Sequence, residues 1–310
     1  MSYSAISFPS LGLELDPSRY FQIGNFNIYY YAVIIAVGLL LAVTYGLRRG
    51  RHFGLTEDDI LDGVLWIVPV SVIFARAYYC AFKWEDFADN PISVLYIRDG
   101  GIAIYGAVIG AALCTVLHCK IKKIRLTAVL DLVALGFLIG QCVGRWGNFI
   151  NREAFGAPTE SFVRMGLLNT ANGQTEYYHP TFLYESVWNL VGFIGLHFLS
   201  KKRRYDGQIA LGYVAWYGLG RTFIEGLRMD SLYLGSFRIS QLVAAITCFV
   251  AVAVLIWQTF VPHDRQKLFV HVRPPVEEKE KKPLFGRKKK RAPAEESETE
   301  ETIEAEETEE

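Results

Sequence analysis

Between Tyr29 and Val261 charged residues are scarce within a series of long apolar runs, and the chain carries no net charge, with 32 basic and 32 acidic residues. That zero balance excludes little, because it hides a block of basic residues (Arg287 to Arg291) cancelled by an acidic run ending in Glu309 and Glu310. It offers no sign of a nucleic-acid partner. The five cysteines (Cys80, Cys114, Cys119, Cys142 and Cys248) include no CxxC pair. A disulfide framework and a cysteine-based metal site are therefore not indicated, and the thiols read as small apolar residues. No cleavable leader is visible either: the first basic residue is Arg19 and the first apolar run is full length, so that run is expected to stay as an anchor. Past residue 262 the sequence is mostly charge, and blocks of one sign followed by the other cannot bury enough surface to fold. Residues 262–310 are expected to be a charged tail, disordered from about 275 onward.

What the chain does have is hydrophobic length. Hydrophobic residues make up 51% of it. A bilayer core of ~30 Å needs ~20 apolar residues in a helix. Seven stretches qualify, at 27–47, 60–82, 101–119, 126–143, 181–200, 207–226 and 237–260. They are too long and too little alternating to be barrel strands. The expected fold class is an all-α polytopic membrane protein of about seven transmembrane helices. Every second loop is basic: Arg48, Arg49 and Arg51 follow the first span, Lys120, Lys122, Lys123 and Arg125 the third, and Lys201 to Arg204 the fifth. The positive-inside rule then places the N-terminal segment 1–26 outside and the tail in the cytoplasm. The long connection 144–180 is expected to form a small extracytoplasmic head within the 27–261 seven-helix transmembrane domain.

Polar residues inside spans are costly and often mark function. On this topology most share one depth, towards the outside: Tyr31, Arg76, Tyr105, Gln141, Arg145, His179, Tyr184 and Glu185. In span six Tyr217, Arg221 and Glu225 follow at i, i+4 and i+8, nearly one helix face. Asp131, in the inner half of span four, is the exception. A structural account exists for each residue singly. Aromatics at span ends serve as interfacial anchors, Arg221 and Glu225 make a plain ion pair, Asp131 is an interhelical or snorkelling residue, and Gly106 with Gly110 is a GxxxG packing face. Their shared depth is what those accounts leave unexplained.

The densest stretch is Gly144-Arg145-Trp146-Gly147-Asn148-Phe149-Ile150-Asn151-Arg152-Glu153-Ala154-Phe155-Gly156. It combines close-approach glycines, a guanidinium, two carboxamides and a carboxylate at a membrane boundary. An arginine fork matches phosphate geometry, so the expected ligand is an anionic lipid headgroup.

This stretch resembles the signature of the prolipoprotein diacylglyceryl transferase family, G-R-x-G-N-F-[I/L]-N-x-E-x-[F/Y]-G, at every specified position. His179-Pro180-Thr181 with Leu183-Tyr184-Glu185 resembles the family's H-P-[S/T]-x-L-Y-E. Tyr217-Gly218 with Arg221 and Glu225, and Gly100-Gly101 through Gly110, resemble two further family segments. The likeness spans about residues 20–260.

The resemblance implies a bacterial plasma-membrane enzyme that moves the diacylglyceryl group of phosphatidylglycerol onto the lipobox cysteine of a prolipoprotein, releasing glycerol phosphate. It implies no metal and no organic cofactor. One departure stands out: other members carry a histidine, assigned to thiol activation, where this chain has Tyr105, and tyrosine with its reference pKa of ~10 is a poor base at neutral pH. The catalytic candidates are Arg145, Glu153, Arg221, Glu225 and Tyr105. The arginines would take the departing phosphate, and the carboxylates would act as base or hold an arginine. The substrate-binding candidates are Arg145, Asn148, Asn151, Gly156, Tyr31, His179 and Tyr217. Rival readings are a transporter, which needs polar residues continuing to the inner side, a membrane scaffold, and another headgroup enzyme.

Overall fold

The computed structural model describes residues 3–97, 100–228, 233–234 and 237–273. Seven long helices follow the expected spans: α1 (Tyr30–Arg49), α2 (Glu57–Phe82), α3 (Ile104–Lys122), α4 (Leu126–Asn151), α5 (Thr181–Ser200), α6 (Gln208–Glu225) and α7 (Ile239–Phe260). Six of them are long and apolar enough to cross a membrane. The other, α6, contains Gln208, Arg221 and Glu225 among its 18 residues and falls short on composition.

α4 is the central helix and packs against α1, α5 and α6, while α2 pairs with α3 and α6 with α7. The α2–α3 pair closes through glycines. A Cβ on Gly110 would sit 2.6 Å from that of Phe74, and one on Gly106 would meet the side chain of Tyr78 and the backbone of Ala75. The GxxxG pattern is therefore a packing face. Between α5 and α6, Trp188 and Trp216 stack at 4.3 Å, and each indole N–H donates to the other's backbone carbonyl at 3.0 and 2.9 Å. This reciprocal lock fixes the register of the two helices that carry Glu185 and Arg221.

Successive helices alternate in direction. The basic turns gather at one end, where Lys122 meets Asp62 at 2.5 Å, Arg125 meets Asp206 at 2.7 Å and Arg203 donates to the His52 carbonyl at 2.7 Å. Asp131, the odd polar residue of α4, has a structural role there. Its carboxylate accepts the N–H groups of Gly207 and Ala210 at 2.8 and 2.9 Å, satisfying donors at the start of α6 that no helical carbonyl can reach.

The opposite end carries features that periodicity alone does not reveal. β1 (Tyr3–Phe8), β2 (Leu13–Leu15), β5 (Met165–Asn169) and β6 (Thr175–Tyr178) form an antiparallel sheet in the order β2-β1-β5-β6, with β3 (Tyr20–Ile23) and β4 (Phe26–Tyr29) as a separate hairpin. Ile6, Leu167 and Met165 bury against Phe149 and Phe182, seating the sheet on α4 and α5. The long connection thus forms a small folded head together with the N-terminal segment.

Three boundaries differ from expectation. Span one begins at Tyr30, because residues 26–29 belong to β4. Span four continues through the signature to Asn151 and stops only at Arg152, whose φ of 56° marks a left-handed cap. Gly144 and Gly147 do not break it, since the missing side chains are replaced by Ile35 and Tyr31 packed against the bare backbone. Residues 262–273 are not tail: they turn back through α8 (Phe269–Val272), burying Leu268 and Phe269 and pairing Arg273 with Asp59. The rest of the expected disordered tail lies outside the described residues.

Candidate active site

The last turns of α4, the start of α5 and the end of α6 converge below the head. At their centre is Glu185, 5% exposed. Its carboxylate meets Arg145 of α4 at 2.6 Å, Arg221 of α6 at 3.3 Å and Arg228, just past α6, at 3.6 Å. Arg221 also pairs with Glu225 at 2.6 Å, one helical turn on, and Arg238 donates to the Glu225 backbone carbonyl. Three guanidiniums thus converge on one buried carboxylate, a donor set whose geometry also matches the oxygens of an anion.

The signature builds the rim. Arg145 donates to Asn148 Oδ1 at 3.2 Å, and Asn148 and Asn151 both donate to Glu153 Oε1, at 3.0 and 3.3 Å. Glu153 is exposed, in contrast to the buried Glu185 and Glu225. Gly156 is wedged where a Cβ would fall 2.7 Å from that of His179 and 3.0 Å from the Leu227 carbonyl. Its N–H donates to the His179 carbonyl at 2.9 Å, and Ala157 N–H to Leu227 at 2.6 Å. This contact ties the signature to the chain segment that delivers Arg228. Arg152, nearly buried, reaches the other way, to Asp16 at 2.6 Å and to the Ser4 and Pro17 carbonyls.

The remaining candidates divide. Tyr217 lines a small cavity with Glu185, Asn189, Gly220 and Arg221, and Asn189 Oδ1 is buried there without a hydrogen-bond partner among the described residues. Tyr31 lies against Gly147. His179 pairs with the Tyr184 hydroxyl at 3.2 Å and not with the arginines. Tyr105 stands at the start of α3, 68% exposed, with its ring 6.4 Å from that of Tyr78. It is apart from the ionic cluster.

Arg76 also takes a structural place. Its guanidinium donates to the carbonyls of Ser93, Val94, Gly100 and Gly101 at 2.7–2.8 Å and lies over the Phe87 ring. Gly100 and Gly101, at φ 91° and 76°, present those carbonyls in a conformation that side chains resist. Glu185 and Arg228 are the site residues that the candidate set omitted. Glu185 had a signal, being the single acid in an otherwise apolar span. Arg228 had none, lying beyond the helix in a turn.

In the head, Glu176 accepts from Tyr178 at 2.5 Å and Asn169 at 3.1 Å. Those hydrogen bonds hold its carboxyl below the usual range, while burial and the same carboxylate push the Tyr178 phenol upward.

Comparison with known proteins identifies the family. Residues 18–257 match the family profile described as prolipoprotein diacylglyceryl transferase. The chain belongs to this family. Among curated relatives, the phosphatidylglycerol–prolipoprotein diacylglyceryl transferase of Enterococcus faecalis is 42% identical over 245 residues, covering 76% of this chain and 88% of the relative. Those of Halalkalibacterium halodurans and Listeria monocytogenes are each 40% identical, covering 77% and 79% of this chain and 84% and 90% of the relative. The matched region contains every residue of the Glu185 cluster.

Proposed function

We propose that this protein transfers the diacylglyceryl group of phosphatidylglycerol to the lipobox cysteine of a prolipoprotein, the first step of lipoprotein maturation, and that the Glu185 cluster is where it does so. The observation that carries this reading is the approach of Arg145 and Arg221, from different helices, to one buried carboxylate. Glu185 holds both guanidiniums in one place.

The substrate thiolate attacks the glyceryl carbon that bears the phosphate ester. A carbon–sulfur bond forms, the carbon–oxygen bond breaks, and its electron pair leaves on the phosphate oxygen. A diester with one negative charge becomes a monoester that carries nearly two at neutral pH. Charge grows on the departing phosphate, so fixed guanidiniums bind the transition state more tightly than the ground state. Arg145 and Arg221 take this role. Glu225, engaged with Arg221, positions it. Asn148 and Asn151 orient the rim and face the glycerol hydroxyls. Glu153 is the carboxylate free of arginine and exposed at the rim, which makes it the candidate to receive the thiol proton. Gly156, Tyr31, His179 and Tyr217 shape the binding surface, and Tyr105 contacts lipid rather than acting as base.

In this reading α6 is the seventh span, its Arg221 and Glu225 turned into the bundle rather than to lipid. The head and the signature face the outside, the basic turns and the tail the cytoplasm, and the bilayer is the bacterial plasma membrane. Purified protein, phosphatidylglycerol and a lipobox peptide test the activity directly. A diacylglyceryl mass increase on the peptide's cysteine is expected. Lipid flux across liposomes without a covalent product would favour transport instead.

A further inference from the structure

At the end of the bundle far from Glu185, the segment after α7 builds a second polar cavity. Leu268 and Phe269 anchor this strap in the core beside Phe53 and Ile124. Arg125 donates to the Lys267 carbonyl at 2.8 Å, Asp206 accepts the Phe269 N–H at 2.9 Å, and Arg265 donates to the Lys202 carbonyl at 3.3 Å. Between the strap and the turns before α4 and α6 lies a cavity of about 290 Å³, lined by Arg125, Arg204, Tyr205, Asp206, His263 and Lys267 among others.

Its charges are unevenly matched. Asp206 is met by Arg125 at 2.7 Å and Arg203 at 3.8 Å, and Asp264 accepts the Gln266 N–H at 2.9 Å. Among the described residues no carboxylate pairs with the Arg204 guanidinium or the Lys267 ammonium. The buried Tyr205 hydroxyl has no hydrogen-bond partner among the described residues, and its ring lies 4.4 Å from that of His263. The exposed Arg204 and Lys267 cations and the Tyr205 hydroxyl set three donors around one cavity that also holds Asp206 and Asp264, a donor set that fits a ligand with several acceptor oxygens and negative charge.

We propose that this cavity is a second anion site, which takes a phosphate ester through Arg204, Lys267 and Tyr205, separate from the transfer chemistry. The phosphate belongs either to an anionic lipid headgroup of the adjoining leaflet or to a soluble phosphoester. Both offer the same oxygens to the same donors.

Native mass spectrometry of the full chain in detergent distinguishes the sources, with dioctanoyl phosphatidic acid, dioctanoyl phosphatidylcholine and glycerol phosphate as probes. Wild type should retain two phosphatidic acid molecules. The double variant Arg204→Gln/Lys267→Gln should keep one and bind the second about tenfold more weakly, with peptide lipidation and unfolding midpoint unchanged. Tyr205→Phe, which keeps the fold, should weaken the same step. Displacement by glycerol phosphate assigns the site to soluble phosphoesters, and failure to displace assigns it to lipid; either outcome supports the site. Two-step binding unchanged in the double variant would overturn it, as would equal retention of phosphatidylcholine.

Discussion

The guanidinium of Arg145 and the buried carboxylate of Glu185 meet at 2.6 Å, joining the end of α4 to the start of α5. Much of the site depends on this pair. Glu185 also pairs with Arg221 and Arg228, so its removal takes one shared carboxylate from three guanidiniums.

Replacing Glu185 by alanine should therefore damage stability as well as activity. Breaking a buried ion pair by removing one partner destabilises by about 3–5 kcal/mol. The expected result is a lower unfolding midpoint in detergent and peptide lipidation below detection. A variant with wild-type stability and wild-type rate would show that the arginines are positioned by other contacts.

Arg76 gives the opposite pattern, a loss of structure without a direct chemical role. Arg76→Ala strips the loop 93–101 of the donor that gathers its carbonyls. Hydrogen bonds from a charged group contribute about 1.5–3 kcal/mol each, so the summed loss should exceed that of one bond. Proteolysis at this loop should accelerate in the variant, and the Michaelis constant for lipid should rise more than the turnover falls.

Asp131→Leu removes the acceptor for two N–H groups at the start of α6. Loss of a side-chain cap costs about 0.5–2 kcal/mol, with the upper end expected for a buried one. Asp131→Asn keeps one acceptor oxygen and should recover part of that difference in thermal unfolding.

The head should loosen on acidification. Hydrogen bonds hold the folded Glu176 carboxyl below its unfolded value, so its contribution is present above the ordinary carboxylate range and is lost as pH falls through the folded value. Hydrogen exchange in β5 and β6 should quicken below the ordinary glutamate pKa of about 4.3. In Glu176→Gln that dependence should flatten.

The sequence made the helices legible because lipid demands long apolar runs, and the basic turns marked their alternation. The Tyr217, Arg221, Glu225 spacing rightly placed Arg221 and Glu225 on one face, where they pair. The sheet was not legible. β1 and β5 lie about 160 residues apart in a register set by tertiary contact, and β1 is short and only partly alternating in burial. α4 runs on to Asn151, past the span predicted to end at 143, because the close approach at Gly144 and Gly147 is made by Ile35 and Tyr31 against a continuous helix, which composition alone does not show. Glu185 was visible as a polar residue at the right depth, but its place between three arginines requires three separate segments to be brought together.

The central claim is that Arg145 and Arg221 act on charge developing at the departing phosphate. Steady-state kinetics of Arg145→Gln and Arg221→Gln with phosphatidylglycerol and a lipobox peptide test it most directly. Turnover should fall by about 10²–10³-fold, as for removal of a donor that acts in the transition state, with little change in the Michaelis constant for lipid. A raised Michaelis constant at unchanged turnover would contradict the account, because the arginines would then only hold the lipid before reaction.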